Sequence, residues 1–290
     1  MSTSSLPASP TPSISTVTDY LSCLQVVMVN TTLPANIGSA ARAMHTMGLS
    51  RLTVVDPKLP IDETSVSHAA GGSELLSSAL IAPTLESAIA DCQLVFAASS
   101  RSRHLPRPVV TPTQAAKIMF DFIDKQSTFS TDKPNIAVLF GREDRGLTNE
   151  ELAYADYHIQ IDANPAYPVL NVASAVQVIA SFIFSYAQTH IKTDSEADYD
   201  KLDVTDSLET IGQPMLNTYT RQQWDEPAIT QQQLQQLTER TTALMVQRKL
   251  ADSENLKSLP SRLSRLGSRI QLDQKEYQLL SALIAKLAKD

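Results

Sequence analysis

The chain is poor in the features that mark several common protein classes. It has only two cysteines, Cys23 and Cys92, far apart in 290 residues. They give neither a disulfide framework nor the paired spacing of a zinc site. The five histidines show no metal-ligand spacing, so no metal is expected. No apolar run approaches the roughly eighteen residues that a membrane span needs, so an integral membrane protein is not expected. The first apolar strand-like run is not followed by Gly-x-Gly-x-x-Gly, and Gly-x-x-x-x-Gly-Lys-Ser/Thr is missing, which argues against ordinary dinucleotide and P-loop phosphate binding. There is no Gly-x-Ser-x-Gly nucleophile elbow either.

A net charge of −7 seems at first to oppose a nucleic-acid partner. Its distribution says otherwise. Residues 1–190 carry 11 Lys/Arg against 16 Asp/Glu, residues 191–239 carry 3 against 10, and residues 240–290 carry 10 against 5. An acidic middle stretch therefore masks a basic C-terminal segment, and charge bears on partners only where it clusters. Within that segment Arg262, Arg265 and Arg269 stand at spacings of three and four, on one face of a short helix. A solvated helical face and a phosphate-binding face both fit this pattern.

Hydrophobic residues at 42% suffice for a sizeable core, and the length suits one large domain with an appendage. Residues 1–22 begin with a run rich in Ser, Thr and Pro that lacks the basic and apolar regions of a secretory signal, and read as a disordered leader. A cytoplasmic protein is expected. From Leu24 short apolar runs alternate with helical patterns. Leu24–Val29, Leu52–Val55, Leu94–Ala97, Ile136–Phe140 and Tyr157–Ile161 read as strands. Asn36–Gly48, Leu85–Asp91, Pro112–Asp124 and Val169–His190 read as helices, with Asn36 as an N-cap, Gly48 as a terminating glycine and Thr148–Glu151 as a capping box. Alternation of this kind predicts an α/β domain over 23–190, with a mostly parallel sheet and helices on both faces. An acidic flexible linker follows over 191–227, then a small helical, partly basic module over 228–290.

Four stretches carry candidate chemistry. Asn30–Arg42 joins the first strand to the first helix, where small residues allow close approach and Arg42 lies two turns in. A lone arginine there suits a surface ion pair as well as a site. Ala97–Arg107 follows a buried strand and gathers Arg101, Arg103 and Arg107; ligands in open α/β sheets bind beyond the carboxyl ends of strands. Leu139–Glu151 places Gly141 and Gly146 around Arg142 and Glu143 in a strand-to-helix turn. Ile159–Ser174 is a strand, a proline-bearing loop and a helix start containing Asn171 and Ser174.

In this order the four stretches resemble the SPOUT superfamily of RNA methyltransferases, and within it the bacterial TrmJ-type tRNA 2′-O-methyltransferases. The segments that carry the likeness are Asn36–Met44 with the following His-Thr-Met-Gly-Leu, Ser99–Arg103, Phe140–Leu152, and Asn164-Pro-Ala-Tyr with Leu170-Asn. It spans about residues 24–190, and Lys257–Leu266 is similar to the family's C-terminal extension. The resemblance implies a deep trefoil knot in the C-terminal part of the α/β domain, a rare exception to unknotted folds. It also implies a homodimer that binds S-adenosylmethionine and methylates the ribose 2′-OH of the pyrimidine at tRNA position 32. By position, Ala98, Ser99, Ser100, Gly141, Ile161, Pro168, Val169 and Leu170 would form the cofactor pocket, and Arg42 would be catalytic. Arg101, Arg103, Arg107, Arg262, Arg265 and Arg269 are the candidate RNA contacts. Pro168-Val169 stands where the family commonly has a serine pair, so any serine hydroxyl used there is either dispensable or replaced by Asn171, Ser174 or backbone groups. The alternatives are a non-catalytic RNA-binding member and a methyltransferase of another RNA.

Overall fold

The computed structural model describes residues 14–99, 107–130, 132–195, 224–256 and 258–289. Seven strands, all paired in parallel, form one sheet: β1 (Leu24–Val29), β2 (Arg51–Val55), β3 (Leu80–Ala82), β4 (Leu94–Ala98), β5 (Val109–Val110), β6 (Ile136–Phe140) and β7 (Tyr157–Ile159). Their spatial order is β3-β2-β1-β6-β4-β7-β5. In β1 the residues alternate between two cores: Leu24, Val26 and Met28 face one, Val27 and Val29 the other. Both faces are covered, so the run is apolar throughout rather than alternating.

Helices α1 (Val17–Ser22), α2 (Pro34–Thr46), α3 (Glu63–Ala69), α4 (Ser73–Ser77), α5 (Leu85–Ile89), α6 (Pro112–Gln126), α7 (Asn149–Leu152) and α8 (Val172–Ser195) surround the sheet. The larger core packs α2, α6 and α8 on one face; α5 and α7 close the other. Helix α1 departs from the expected disordered leader. Thr16 and Asp19 form its capping box, Tyr20 and Leu21 are buried, and the Tyr20 hydroxyl donates to Asp124 on α6. Residues 1–13 of that leader, and most of the expected linker, lie outside the described residues.

Helix α8 also corrects the expectation about apolar runs. By length and composition Val172–Ile191 is long and apolar enough to cross a membrane. Here one side of it, with Val176, Ile179, Ala180, Ile183 and Ala187, is buried in the main core.

The C-terminal part comprises α9 (Gln231–Gln247), α10 (Leu259–Ile270) and α11 (Gln274–Leu287), the last opened by the capping box of Asp273 and Glu276. Ile229, Leu234, Leu237 and Leu272 form their own small core. The module docks at the amino-terminal ends of β4 and β7: the Gln231 amide donates to the Cys92 carbonyl at 2.8 Å, and the Ala228 amide to Gln126 Oε1 at 2.7 Å.

Helices α2 and α3 touch through backbone at Gly38, where an added Cβ would lie 2.0 Å from the Ser65 carbonyl oxygen. That contact fixes the inclination of α2. Alanine normally favours a helix over glycine by roughly 1 kcal/mol, but Gly38→Ala is expected to destabilise the protein by about 2 kcal/mol or more, as overpacking against rigid backbone does. Urea unfolding measures this; an unchanged or raised midpoint would contradict the close approach.

Candidate functional site

The carboxyl ends of β1, β4, β6 and β7 lie side by side in the sheet order, and the loops leaving them carry the four sequence stretches. The centre of the arrangement is Glu143. Burial pushes its carboxyl upward, but hydrogen bonds from Asn36 and Thr32 outweigh that and hold it below the ordinary value. One oxygen accepts from the Thr32 amide at 3.0 Å and the Thr32 hydroxyl at 2.6 Å; the other accepts from the Leu33 amide at 3.2 Å and Asn36 Nδ2 at 2.7 Å. Two of these donors are backbone amides at the entry to α2, which a helix start leaves without intrahelical partners.

Asn36 is therefore not the N-cap expected from the sequence. The cap position is Leu33, with Pro34 in the first turn, and no side chain caps it. Glu143, distant in sequence, supplies the acceptor instead. Asn36 also accepts from Asn171 Nδ2 at 3.0 Å, while Asn171 Oδ1 accepts from the Ala173 amide at 2.9 Å. Three of the four stretches are thus joined by one chain of hydrogen bonds.

Gly141 makes the placement of Glu143 possible. A Cβ there would lie 2.2 Å from both Gly146 C and Leu147 N, so β6 can fold back on itself only at glycine. Gly146 adopts φ +69°, and Arg142 pairs with it as an isolated bridge. The Arg142 guanidinium is an internal strut: it donates to Asn30 and, at 2.6 Å, to Glu151.

Of the expected cofactor residues, Ala98 ends β4 and the Ser99 amide donates to the Ile159 carbonyl at 3.0 Å, locking the mouth of β4 against β7. Ile161 packs on the main core, whereas Val169 and Leu170 are exposed. Ser100, Arg101 and Arg103 lie outside the described residues. Arg42 is exposed on α2, two turns beyond the Glu143 clamp.

Arg107 corrects an expectation. It is 6% exposed and donates to the Ala153 carbonyl at 2.7 Å, so it is not a surface contact for RNA. Burial lowers its guanidinium from the ordinary value, the Asp156 charge opposes that, and Arg265 and Arg269 add to the fall. Asp156 accepts from the Val95 amide at 2.9 Å and from Gln231 Nε2 at 3.3 Å, and is bonded by Ser268 on α10. Arg107 and Asp156 are thus internal charges beneath α10, which reaches Asp156 through Ser268. Sequence patterning singled out the arginine and missed the carboxylate, which stands alone between Ala155 and Tyr157.

Comparison with known proteins follows the same division of the chain. Residues 23–181 match the model of the SpoU rRNA Methylase family. Over 157 residues, 54% of this chain, it is 44% identical to a tRNA (cytidine/uridine-2′-O-)-methyltransferase TrmJ of Cronobacter sakazakii and 43% identical to that of Escherichia coli K12. The match spans 61% of the length of each of those relatives. The fold is similar to the crystal structure of TrmJ from Z. mobilis ZM4, with a TM-score of 0.69 at 25% identity over 91% of this chain and 98% of that one. A probable methylase family protein from Haemophilus influenzae Rd KW20 superposes with a TM-score of 0.55 at 29% identity, covering 93% and 97% of the two chains.

Burial is the largest influence on Asp156 and raises its carboxyl from 3.8 to about 6, against the pull of Arg107. A carboxyl raised in the folded state binds its proton more tightly folded than unfolded, so its contribution to stability improves as pH falls from about 6 toward 4 and is unfavourable above. In Asp156→Asn that slope disappears. Urea unfolding at pH 7 and pH 5 is expected to show the wild type gaining about 1 kcal/mol on the variant at the lower pH; parallel pH profiles would contradict the assignment.

Proposed function

The chain belongs to the SpoU rRNA Methylase family, and from that premise we propose that it transfers the methyl group of S-adenosylmethionine to the ribose 2′-OH of the pyrimidine at position 32 of the tRNA anticodon loop. The observation that carries the reading is the Glu143–Asn36–Asn171 chain, which holds the helix bearing an exposed Arg42 beside the small-residue ends of β4 and β6. The names of the similar TrmJ proteins supply the substrate class, and the TrmJ-type resemblance supplies the nucleotide.

The residues present fit S-adenosylmethionine. Gly141 leaves no side chain at the end of β6, Ala98 and Ser99 are small, and the exposed Val169 and Leu170 offer apolar surface. Ile161 and Pro168 complete the lining, together with Ser100, which is assigned by the resemblance alone. The cofactor supplies an activated methyl group; the protein supplies position and charge. Arg42 binds the nucleotide's phosphate and stabilises negative charge developing on the 2′ oxygen. An arginine side chain stays protonated and is a poor base, so its role is electrostatic.

The serine hydroxyl that the family commonly has near residue 169 has no substitute in Asn171, whose amide is engaged at both ends. Of the replacements considered, Ser174 and backbone groups remain, and this reading takes the hydroxyl as dispensable. Arg262, Arg265 and Arg269, with Arg101 and Arg103 of the segment between β4 and β5, contact phosphates in this reading; Arg107 is buried and does not. A cytoplasmic homodimer with a trefoil knot follows from the resemblance, and the exposed Phe182 on α8 suits a subunit contact.

Incorporation of tritiated methyl from S-adenosylmethionine into unmodified tRNA tests the reading. The wild type is expected to label the tRNA. Arg42→Ala is expected to lose at least 100-fold in turnover, on the scale of removing one stabiliser of developing charge, while binding the cofactor with unchanged affinity. Equal turnover in that variant would remove Arg42 from the mechanism.

A further inference from the structure

The loop between β7 and α8 exposes an aromatic side chain that the reaction so far does not use. Tyr167 is 78% exposed, the most exposed of the large hydrophobic side chains in the described residues. A tyrosine left this far in water gains nothing for stability, since its ring buries little area. Its backbone is nonetheless held closely. The Tyr167 amide donates to the Asn164 carbonyl at 2.8 Å, and the Ala166 amide donates to Asn164 Oδ1 at 3.0 Å. The loop therefore turns tightly at Asn164-Pro165 and presents the ring outward.

Its other end is equally fixed. Four residues on, Asn171 is bonded to Asn36, and Asn36 to Glu143. The ring and Arg42 are thus carried by two elements, the 164–171 loop and α2, that one hydrogen-bond chain locks together. A rigid backbone presenting an unpartnered ring is the arrangement that RNA-binding proteins use to stack a splayed base.

We propose that Tyr167 is the stacking platform for the base of the nucleotide being methylated. The proposal rests on the tRNA reading above and names a positioning residue within it. Stacking holds the base, and so the attached ribose, without reading hydrogen-bonding edges, and accepts cytosine and uracil alike. With the phosphate held by Arg42, such an anchor fixes the other side of the ribose and so the line of its 2′-OH to the methyl donor.

A cycle of two proteins and two RNAs tests this, with Tyr167→Phe as a third protein for control. The proteins are the wild type and Tyr167→Ala; the RNAs are unmodified tRNA and the same tRNA with an abasic nucleotide at position 32. Loss of one base–aromatic stack is expected to weaken tRNA binding about tenfold in Tyr167→Ala. The abasic RNA is expected to cost the wild type a similar factor and the variant almost nothing, while Tyr167→Phe behaves as wild type. Tyr167→Ala binding intact tRNA as tightly as the wild type would overturn the proposal. So would a full abasic penalty in the variant, or a loss confined to cofactor affinity. Wild-type methylation of the intact tRNA is the separate control: its failure would refute the tRNA reading, whereas a failed cycle with active wild type would refute only the stacking.

Discussion

One carboxylate holds the candidate site together. Glu143 is half-buried, yet it remains ionised because four donors converge on it, two of them backbone amides at the start of α2. Charge-assisted bonds of this kind are stronger than neutral ones, and an amide left without its acceptor would incur a desolvation cost. The constraint propagates in both directions. Upstream, Gly141 must lack a side chain so that β6 can fold back and deliver the carboxylate. Downstream, Asn36 passes the connection to Asn171, so the β7–α8 loop takes its place relative to α2. Arg42 and Tyr167 are exposed, and the elements that bear them are joined by this hydrogen-bond chain.

Much of the sheet was legible in the sequence because its strands are continuous apolar runs between turn residues. Leu24–Val29 and Ile136–Phe140 have the bounds that the pattern predicts. The short edge strands β3 and β5 escaped because two or three residues show no period. Helix α1 escaped because Ser- and Thr-rich composition masked a capping box whose apolar residues find partners only in the tertiary core. Within the site, Arg42 and the small residues were visible as local signals. The acceptor role of Glu143 was not, since it depends on contacts more than a hundred residues apart in sequence. Asn36 shows the same limit: a good N-cap type in the right place is used for a longer-range bond.

The charge distribution also takes on structural meaning. The basic segment is not a free tail: α10 sits with Ser268 bonded to buried Asp156 and with Arg265 and Arg269 close enough to Arg107 to perturb it. Arg265 and Arg269 lie near Arg107, and buried Asp156 opposes their effect on its guanidinium. Arg107 was read from its neighbours as part of an exposed cluster, and burial reassigns it to the foundation of one. The positive surface that remains, on α10, is thereby held in a fixed relation to the sheet.

The proposed reaction is methyl transfer to a ribose oxygen of the anticodon-loop nucleotide. It is tested most directly with a tRNA that carries a single 2′-deoxynucleotide at position 32 and is otherwise unchanged. This tRNA is expected to bind as the unmodified one does and to receive no tritiated methyl. Methyl incorporation equal to that of the ribose-containing tRNA would instead place the reaction on another atom or nucleotide.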